Sequence, residues 1–271
     1  MTSTSGQPPA PPADGWDPAQ YERFRAQRSQ PFHDLMALVE AVPGGRAIDL
    51  GCGTGELTKV LHEAKQFGST VGLDNSEAML DQAATHAGGG LHFELGSFLE
   101  PAPGAPFDVI FSNAALQWAP EHEHLFARLT AALEPGGQLA VQMPANHDHL
   151  SHVTADEVAA EEPFVTALGG HRRKWPVQPP EWYAHLLFRL GYRDIDIRLQ
   201  IYPHELASRA DVVEWVKGTY LTEYRSHLPA ETYTLYLDRY TERLLPQLAD
   251  DRPFLYPYKR ILLHARKRLE L

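Results

Sequence analysis

The chain has a single cysteine, no long apolar run and no excess of basic residues, and each shortage excludes a class of protein. Cys52 is the only cysteine among 271 residues, so no intramolecular disulfide can form. No segment approaches the roughly 20 consecutive apolar residues that a transmembrane helix needs. The formal net charge of -11 at pH 7 disfavours a protein whose main work is to bind nucleic acid through its phosphates. We therefore expect no membrane and no nucleic-acid partner.

The first 15 residues lack both an apolar stretch and a basic start. They are rich in Ser, Thr, Pro, Gly and Ala, which predicts a disordered tail over residues 1–15 and not a secretory signal. With no spanning segment, this leads us to expect a cytoplasmic protein. Residues 16–271 have the composition of a globular protein and suffice for one large domain or a domain with an insertion.

The most informative stretch is an apolar run that ends in Asp49 and enters a glycine loop, Gly51-Cys52-Gly53-Thr54-Gly55. A second apolar run, Thr70–Leu73, ends in Asp74 after about 20 residues, the interval of a βαβ nucleotide-binding unit. Glycine lets the backbone turn sharply and approach a ligand closely because it has no Cβ. The helix that follows directs free N–H groups at that ligand. The pattern predicts a nucleoside site in preference to an ordinary glycine-rich turn.

The spacing of the glycines and the position of Asp49 select among nucleoside ligands. A dinucleotide site usually reads G-x-G-x-x-G, whereas this loop reads G-x-G-x-G and continues with Glu56. Asp49 places a carboxylate before the first glycine, where a diphosphate would be repelled and an ammonium group attracted. Asp74 follows a strand, where a carboxylate can accept both hydroxyls of a ribose. S-adenosylmethionine carries a ribose, an ammonium group and no phosphate, so it fits these features better than NAD.

Apolar and helical segments alternate along the chain, which predicts an α/β fold with a mostly parallel sheet covered by helices on both faces. The predicted strands are 46–50, 70–73, 91–95, 107–112, 138–143, 194–202 and 260–265. Before the first strand, one helix is predicted through Tyr21 and Arg28 and a second over Pro31–Val42. A single helix is also predicted over Ala155–Leu168. A further helical insertion, about 204–256, precedes the last strand. We expect the helices before the first strand and this insertion to cover the carboxyl edge of the sheet as a lid, where ligands bind in such folds. The alternative is that they only pack against the far edge of the sheet.

The loop from Asp49 to Gly55 resembles the first motif of class I S-adenosylmethionine-dependent methyltransferases, and Asp74 resembles their ribose-binding acid. Phe107–Asn113 and Leu133–Leu139 are similar to their fourth strand and the turn into their fifth. The resemblance covers residues 16–271 and implies a Rossmann-like sheet of seven strands, the last antiparallel, with S-adenosyl-L-methionine as cofactor. The expected cofactor contacts are Asp49, Gly51, Cys52, Gly53, Gly55, Asp74, Asn75, Ser97, Phe98 and Asn113.

The adenine end of this site departs from the family pattern. Many members carry an acid after the third strand to hold the adenine amino group, and here Ser97 stands in that place. A hydroxyl can still hydrogen-bond the amine, more weakly than a carboxylate does. Phe98 offers a flat face for the purine.

A narrower resemblance links the chain to the trans-aconitate 2-methyltransferases. It rests on four stretches, namely Trp16–Pro31, Asn113–Trp118, Ala140–Pro144 and Arg260–Arg266. It implies an O-methyltransferase that forms a methyl ester on a small carboxylic acid such as trans-aconitate. Arg28 and Arg260 are the favoured cations for this acid because they lie in matching motifs. The other candidate cations are each interpreted as solvated charges: Arg25, Arg172, Arg173, Lys174, Lys217, Lys259. The expected substrate contacts are Tyr21, Arg28, Gln117, Trp118, Gln142, Asn146 and Arg260.

A carboxylate acceptor simplifies the chemistry because it is already ionised at neutral pH and needs no general base. We therefore expect no catalytic dyad, and catalysis by proximity and orientation alone. No metal site is expected either. His122 and His124 diverge on a helix, and the loop histidines between His147 and His152 do not match zinc-ligand spacing.

Other functions remain open from the sequence alone. A methyltransferase of the same fold could act on a phenol or another small metabolite, in which case His147 could serve as the base. The chain could also bind S-adenosylmethionine without consuming it. A nicotinamide dehydrogenase is disfavoured by the loop spacing. We expect a monomer or a weak dimer.

Overall fold

A computed structural model describes residues 25–269, with side chains described from Ser29 onward. Seven strands form one sheet in the order β3-β2-β1-β4-β5-β7-β6. Their bounds are β1 Arg46–Leu50, β2 Ser69–Asp74, β3 Leu91–Leu95, β4 Phe107–Asn113, β5 Leu133–Pro144, β6 Tyr192–Leu206 and β7 Phe254–Lys267. The pairs among β1 to β5 are parallel, and β7 runs antiparallel to β5 and to β6. This confirms the predicted seven-stranded sheet with an antiparallel last strand.

Ten α-helices accompany the strands within residues 25–269. They are α1 Arg25–Leu38, α2 Glu56–Lys65, α3 Glu77–Ala83, α4 His122–Ala131, α5 Leu150–Ala159, α6 Phe164–Ala167, α7 Pro180–Arg189, α8 Ala210–Lys217, α9 Thr222–His227 and α10 Ala230–Leu244. None of these helices combines the length and the apolar character needed to cross a membrane. The predicted tail, residues 1–15, lies outside the described residues, and the division into domains stays a prediction.

Two helix predictions were wrong in detail, both at a proline. Pro31 was expected to begin a second helix, but α1 continues through it. A proline in a helix loses one hydrogen bond, and burial of Phe32 and Leu35 against the sheet offsets that loss. A single helix was expected from residue 155 to 168, whereas α5 ends at Ala159 and α6 begins after Pro163.

Helices cover both faces of the sheet because the strands are apolar on both. On one face, α4 and α7 bury Leu125, Phe126 and Leu187 against the sheet. On the opposite face, α1 and α2 bury residues such as Leu35 and Leu61. The sheet is therefore enclosed, and its two edges and the two ends of its strands are the places left for a ligand.

The antiparallel pair β6 and β7 continues past the point where β5 ends. Pro144 at the end of β5 pairs with Arg260, yet the pairing of β6 with β7 extends to Leu206 and Phe254. Helices α8, α9 and α10 follow this extension and bury a separate, tyrosine-rich core together with α5 and α6. This helical part corresponds to the insertion expected at about 204–256.

Candidate active site

The carboxyl ends of the parallel strands meet at one edge of the sheet and bring the predicted cofactor residues together. The glycine loop follows β1, Asp74 ends β2 and Asn113 ends β4. Strand order places β1 between β2 and β4, so the loop lies between Asp74 and Asn113. This is the position where open α/β sheets bind their ligands.

The three glycines of the loop have different roles. All have positive φ, +79° at Gly51, +55° at Gly53 and +73° at Gly55, which glycine adopts without steric cost. A Cβ at Gly51 would overlap Ala115, and one at Gly55 would lie 2.6 Å from the Phe93 ring. A Cβ at Gly53 would meet no heavy atom within 4 Å. Gly51 and Gly55 are therefore required for packing, whereas Gly53 borders open space in which a ligand could lie.

Asp74 is held in one orientation by the loop and by the next helix. The backbone N–H of Gly53 donates to its Oδ2 at 2.8 Å, and that of Ser76 donates to its Oδ1 at 3.0 Å. Each carboxylate oxygen keeps a further lone pair. The side chain is thus preorganised to accept two hydroxyl groups, as a ribose requires.

Asp49 is a buried carboxyl group beside the loop. The Thr58 hydroxyl donates a hydrogen bond to its Oδ2 at 2.6 Å. Burial, with a smaller contribution from the negative charge of Asp74, raises the pKa of Asp49 to about 7, although the Thr58 hydrogen bond acts in the opposite direction. A cation beside Asp49 would favour its charged form, which suits the ammonium group of the expected cofactor.

The remaining predicted cofactor residues lie around these two acids. Burial and the charges of Asp49 and Asp74 raise the pKa of the Cys52 thiol well above its usual range. Asn75 is exposed next to Asp74. The Ser97 hydroxyl accepts the backbone N–H of Leu99 at 3.1 Å, and Phe98 packs, partly buried, against the core on the α4 face. Their adenine contacts stay predictions.

A row of polar side chains crosses β4, β5 and β7 at the same edge. Asn113 pairs with Gln142 in the sheet register, and the Nη1 of Arg260 donates to Gln142 Oε1 at 3.4 Å. Gln142 and Arg260 are buried. We name Asn113, Gln142 and Arg260 the polar row. It faces α1, because Gln138, on the same side of β5 as Gln142, accepts the N–H of Glu40 just after α1.

Several buried polar atoms near the polar row have no hydrogen-bond partner among residues 25–269. They are Oδ1 of Asn113, Oε1 of Gln117 and Nε2 of Gln142. A buried polar atom without a partner costs roughly 1–3 kcal/mol, so three of them at one strand edge indicate a place for a polar ligand. Gln117 is oriented for this by its own Nε2, which donates to Ala114 O at 2.7 Å.

Arg260 brings a buried positive charge to this edge. Its guanidinium lies 5.1 Å from the Tyr258 ring centroid and 6.0 Å from that of Tyr202. The Tyr202 hydroxyl donates to Asp34 of α1 at 2.8 Å, which links the helix to β6. The aromatic rings and the helix restrain the guanidinium, so it is positioned to bind an anion.

The other predicted substrate residues differ in how they are placed. Trp118, 38% exposed, lies at the surface of the edge. Asn146 is buried, and its amide is already used by the Tyr256 hydroxyl and by the backbone N–H of Lys259. Its observed contacts hold β5 to β7, and a substrate contact is not needed to explain it. Tyr21 lies outside the described residues, as does the side chain of Arg28.

The sequence analysis did not predict that the side chain of Arg173 is buried. Arg173 was interpreted as a solvated charge, but its side chain is only 4% exposed. Its guanidinium lies over the rings of Trp118, Trp175 and Tyr220. A tryptophan two residues after the arginine was the only local signal, since the other two rings come from distant parts of the chain.

Comparison with known proteins gives a consistent result. The family model described as a methyltransferase domain matches residues 41–182. The trans-aconitate 2-methyltransferase of Deinococcus radiodurans is 42% identical, covering 92% of this chain and 97% of that protein. The enzyme of the same name from Sinorhizobium medicae is 40% identical over 89% of this chain and 94% of its own length, and that from Variovorax paradoxus is 39% identical over 93% and 98%.

Solved structures agree on the fold. The YcgJ protein of Bacillus subtilis aligns with a TM-score of 0.57 at 15% identity, covering 89% of this chain and 99% of its own. A methyltransferase from Bacillus halodurans, described as putative in its name, aligns with a TM-score of 0.54 at 16% identity, covering 88% and 98%. At these identities the likeness concerns the fold alone. The family model and the curated relatives carry the assignment: the chain belongs to the trans-aconitate 2-methyltransferase family of S-adenosylmethionine-dependent methyltransferases.

Proposed function

We propose that this protein transfers a methyl group from S-adenosylmethionine to a carboxylate of trans-aconitate and forms a methyl ester. The observation that supports the proposal most strongly is the polar row beside the glycine loop. Its buried cation, Arg260, and its unpartnered amide nitrogen on Gln142 suit a carboxylate. The relatives that share about two fifths of their residues with this chain carry the name of this activity.

The residues around the loop fit the cofactor. Asp74 would hold the ribose hydroxyls, the backbone at Gly53 would border the amino-acid portion, and Asp49 would attract its ammonium group. Ser97 and Phe98 would contact the adenine. When bound, S-adenosylmethionine supplies an electrophilic methyl group on a sulfonium. The protein contributes binding and alignment, since the fit rests on preset backbone and carboxylate positions.

Two members of the polar row, Arg260 and Gln142, would grip a carboxylate of the acid, and Gln117 would lie beside it. The unpartnered Oδ1 of Asn113 is an acceptor and would face a donor group of the cofactor. Trp118 would cover the acid from the solvent side. An ionised carboxylate needs no proton removed, so alignment, which can supply roughly 7–11 kcal/mol of barrier reduction, is the main contribution of the protein. No general base is therefore part of the proposal.

We extend the proposal to the organisation of the chain. Residues 16–271 would form the methyltransferase domain, with the insertion at about 204–256 covering the edge of the sheet. The extension of β6 and β7 past β5 supports this arrangement, because it carries α8 to α10 beyond the strand ends. The protein would work in the cytoplasm as a monomer or weak dimer.

The test is a methyl-transfer assay with isotopically labelled S-adenosylmethionine and a panel of tri-, di- and monocarboxylic acids and phenols. We expect label in trans-aconitate, released by mild alkali as a methyl ester should be. Asp74→Ala serves as the cofactor-site control and should remove the label. Label in a phenol alone, with a pH–rate profile that reports a base near neutrality, would replace the proposal with the phenol alternative.

A further inference from the structure

A buried arginine lies over the carboxyl edge of the sheet in the segment between α6 and α7. Arg173 has exposed neighbours on both sides, Arg172 and Lys174, whereas its own side chain is 4% exposed. Burying a charge is costly unless it is paired and hydrogen-bonded. The surroundings of this guanidinium therefore require an explanation.

Three aromatic rings enclose the Arg173 guanidinium. Its central carbon lies 4.1 Å from the Tyr220 ring centroid, 5.3 Å from that of Trp118 and 5.9 Å from that of Trp175. Each distance is within the range of a cation–π contact. The rings come from three separate parts of the chain and fix both the position and the plane of the guanidinium.

One edge of the guanidinium is already occupied. Nη1 donates to the Tyr220 carbonyl at 2.9 Å and forms an ion pair with Glu223 Oε2 at 2.7 Å. Glu223 is shared, since its other oxygen lies 2.8 Å from Nε2 of His171. The Glu223 carboxylate therefore contacts both Arg173 and His171, one through each oxygen.

Another edge of the same group has no partner within the described part of the chain. Nε of Arg173 is buried and unpartnered, and so is Nε1 of Trp175. Both atoms are donors only, so what they lack is an acceptor. The ion pair with Glu223 satisfies neither donor, although the guanidinium lies only 5.9 Å from the centroid of the Trp175 ring.

The Arg173 group lies beside the candidate active site. Trp118, which contacts Arg173, belongs to the short helical turn Leu116–Trp118 that follows β4 and Asn113. On the other side, the centroid of the His152 ring lies 4.3 Å from that of Tyr220 and 6.5 Å from that of Tyr258. Tyr258 is the ring under Arg260. Two buried guanidinium groups therefore border one aromatic cluster.

We infer that Arg173 and Trp175 form a second carboxylate subsite, which holds a carboxylate of the acid other than the one held at the polar row. The inference rests on the proposed function. A carboxylate offers the acceptor oxygens that both donors lack, and arginine binds it with directed hydrogen bonds that lysine cannot reproduce. The enzyme would then select polycarboxylates, because an acid with too few carboxylates leaves this pair of donors unsatisfied.

The test compares acids that differ by one carboxylate. The substrates are trans-aconitate and three dicarboxylates, glutaconate, mesaconate and itaconate, each of which lacks a different carboxylate of trans-aconitate. Arg173→Met should raise the KM for trans-aconitate at least about tenfold, the loss of one charged hydrogen bond. For the dicarboxylate that lacks the carboxylate bound at this subsite, the KM of the variant should stay within about twofold of the wild-type value. Arg172→Gln, the exposed neighbour, is the matched control and should change neither.

Two conservative variants distinguish the loss of a substrate contact from a folding defect. Arg173→Lys keeps the charge but loses the directed hydrogen bonds, and Trp175→Phe keeps the ring but removes Nε1. Both should raise the KM for trans-aconitate and not that for S-adenosylmethionine. Equal losses on all four acids, or no loss on any, would overturn the subsite and assign Arg173 a packing role.

Binding measurements separate this inference from the proposed function. Calorimetry of trans-aconitate, with S-adenosylhomocysteine present, reports binding without turnover. If the wild type binds trans-aconitate but methylates no acid, the proposed function fails, and weaker binding by Arg173→Met still supports the subsite. If the wild type neither binds nor methylates any of these acids, both are overturned.

Discussion

The backbone N–H of Gly53 donates a 2.8 Å hydrogen bond to Oδ2 of Asp74. This bond joins the loop after β1 to the residue that ends β2, so two parts of the cofactor site form one unit. A change in Asp74 therefore alters both a ligand contact and the position of the loop.

Asp74→Ala should lower the affinity for S-adenosylmethionine by about 100-fold or more, because two charge-assisted bonds worth roughly 1.5–3 kcal/mol each are removed. Asp74→Asn should lose less, since its amide oxygen can still accept the Gly53 N–H. Calorimetry with the cofactor gives both values, and thermal unfolding checks that each variant is folded. Equal affinities in all three proteins would place the ribose elsewhere.

The glycine loop offers a matched pair of substitutions. Gly53→Ala should leave the fold largely intact, at a backbone cost of about 1–2 kcal/mol for the positive φ, but should abolish cofactor binding because its Cβ enters the open space. Gly51→Ala should instead destabilise the protein, since its Cβ overlaps Ala115. Thermal unfolding and cofactor titration distinguish the two effects. Normal binding by folded Gly53→Ala would show that this space is not the cofactor pocket.

Asp49 should make cofactor binding depend on pH. Its pKa of about 7 without ligand means that the carboxyl becomes neutral as the pH falls below 7, and a neutral carboxyl no longer attracts an ammonium group. The affinity should therefore fall by up to about tenfold per pH unit below 7, and Asp49→Asn should remove the dependence. Cofactor titrations at several pH values from roughly 5.5 to 8.5 measure this dependence. A flat wild-type profile would contradict the role.

The same group should affect stability in the opposite sense. A folded-state pKa raised from 3.8 to about 7 favours the neutral form in the native protein. The stability that this form contributes is complete below the unfolded-state pKa and is lost as the pH rises through about 7. The free energy of unfolding of the wild type should therefore fall relative to Asp49→Asn over that interval. Urea unfolding without cofactor tests this, and a constant difference would contradict it.

Arg260→Met should raise the KM for the acid at least about tenfold and leave the KM for S-adenosylmethionine within about threefold. The reason is that its guanidinium belongs to the polar row and bonds Gln142, not the glycine loop. Arg198→Gln, an exposed arginine of β6, is the control and should change neither constant. Equal increases in both constants would indicate a general loss of structure.

The Cys52 thiol should react slowly with alkylating reagents. Burial and the charges of Asp49 and Asp74 raise its pKa, and the thiolate is the reactive form. We expect a rate at pH 8 at least about tenfold below that of a free cysteine. The measurement is simple because the chain has no other cysteine. Alkylation as fast as that of the free amino acid would contradict this expectation.

The sequence predicted those parts of the molecule that depend on local pattern. The bounds of β1 and β3 match the prediction, because short apolar runs were flanked by turn residues. The continuation of α1 through Pro31 could not be predicted, since it depends on packing against a sheet that forms from later residues. The burial of Arg173 could not be predicted either, because Trp118 and Tyr220, which cover it, lie far from it in the chain.

The polar row has one member on each of three neighbouring strands. Strands in a sheet lie about 4.8 Å apart, so the two strands that carry Asn113 and Arg260 lie about 10 Å apart. The backbone pairing sets Asn113 opposite Gln142 and Arg260 opposite Pro144. In the proposed function, this strand spacing sets the distances between the groups that contact the two ligands. A substitution at one of these positions would then change one contact without moving the others, so a single substitution should be enough to change which acid is bound.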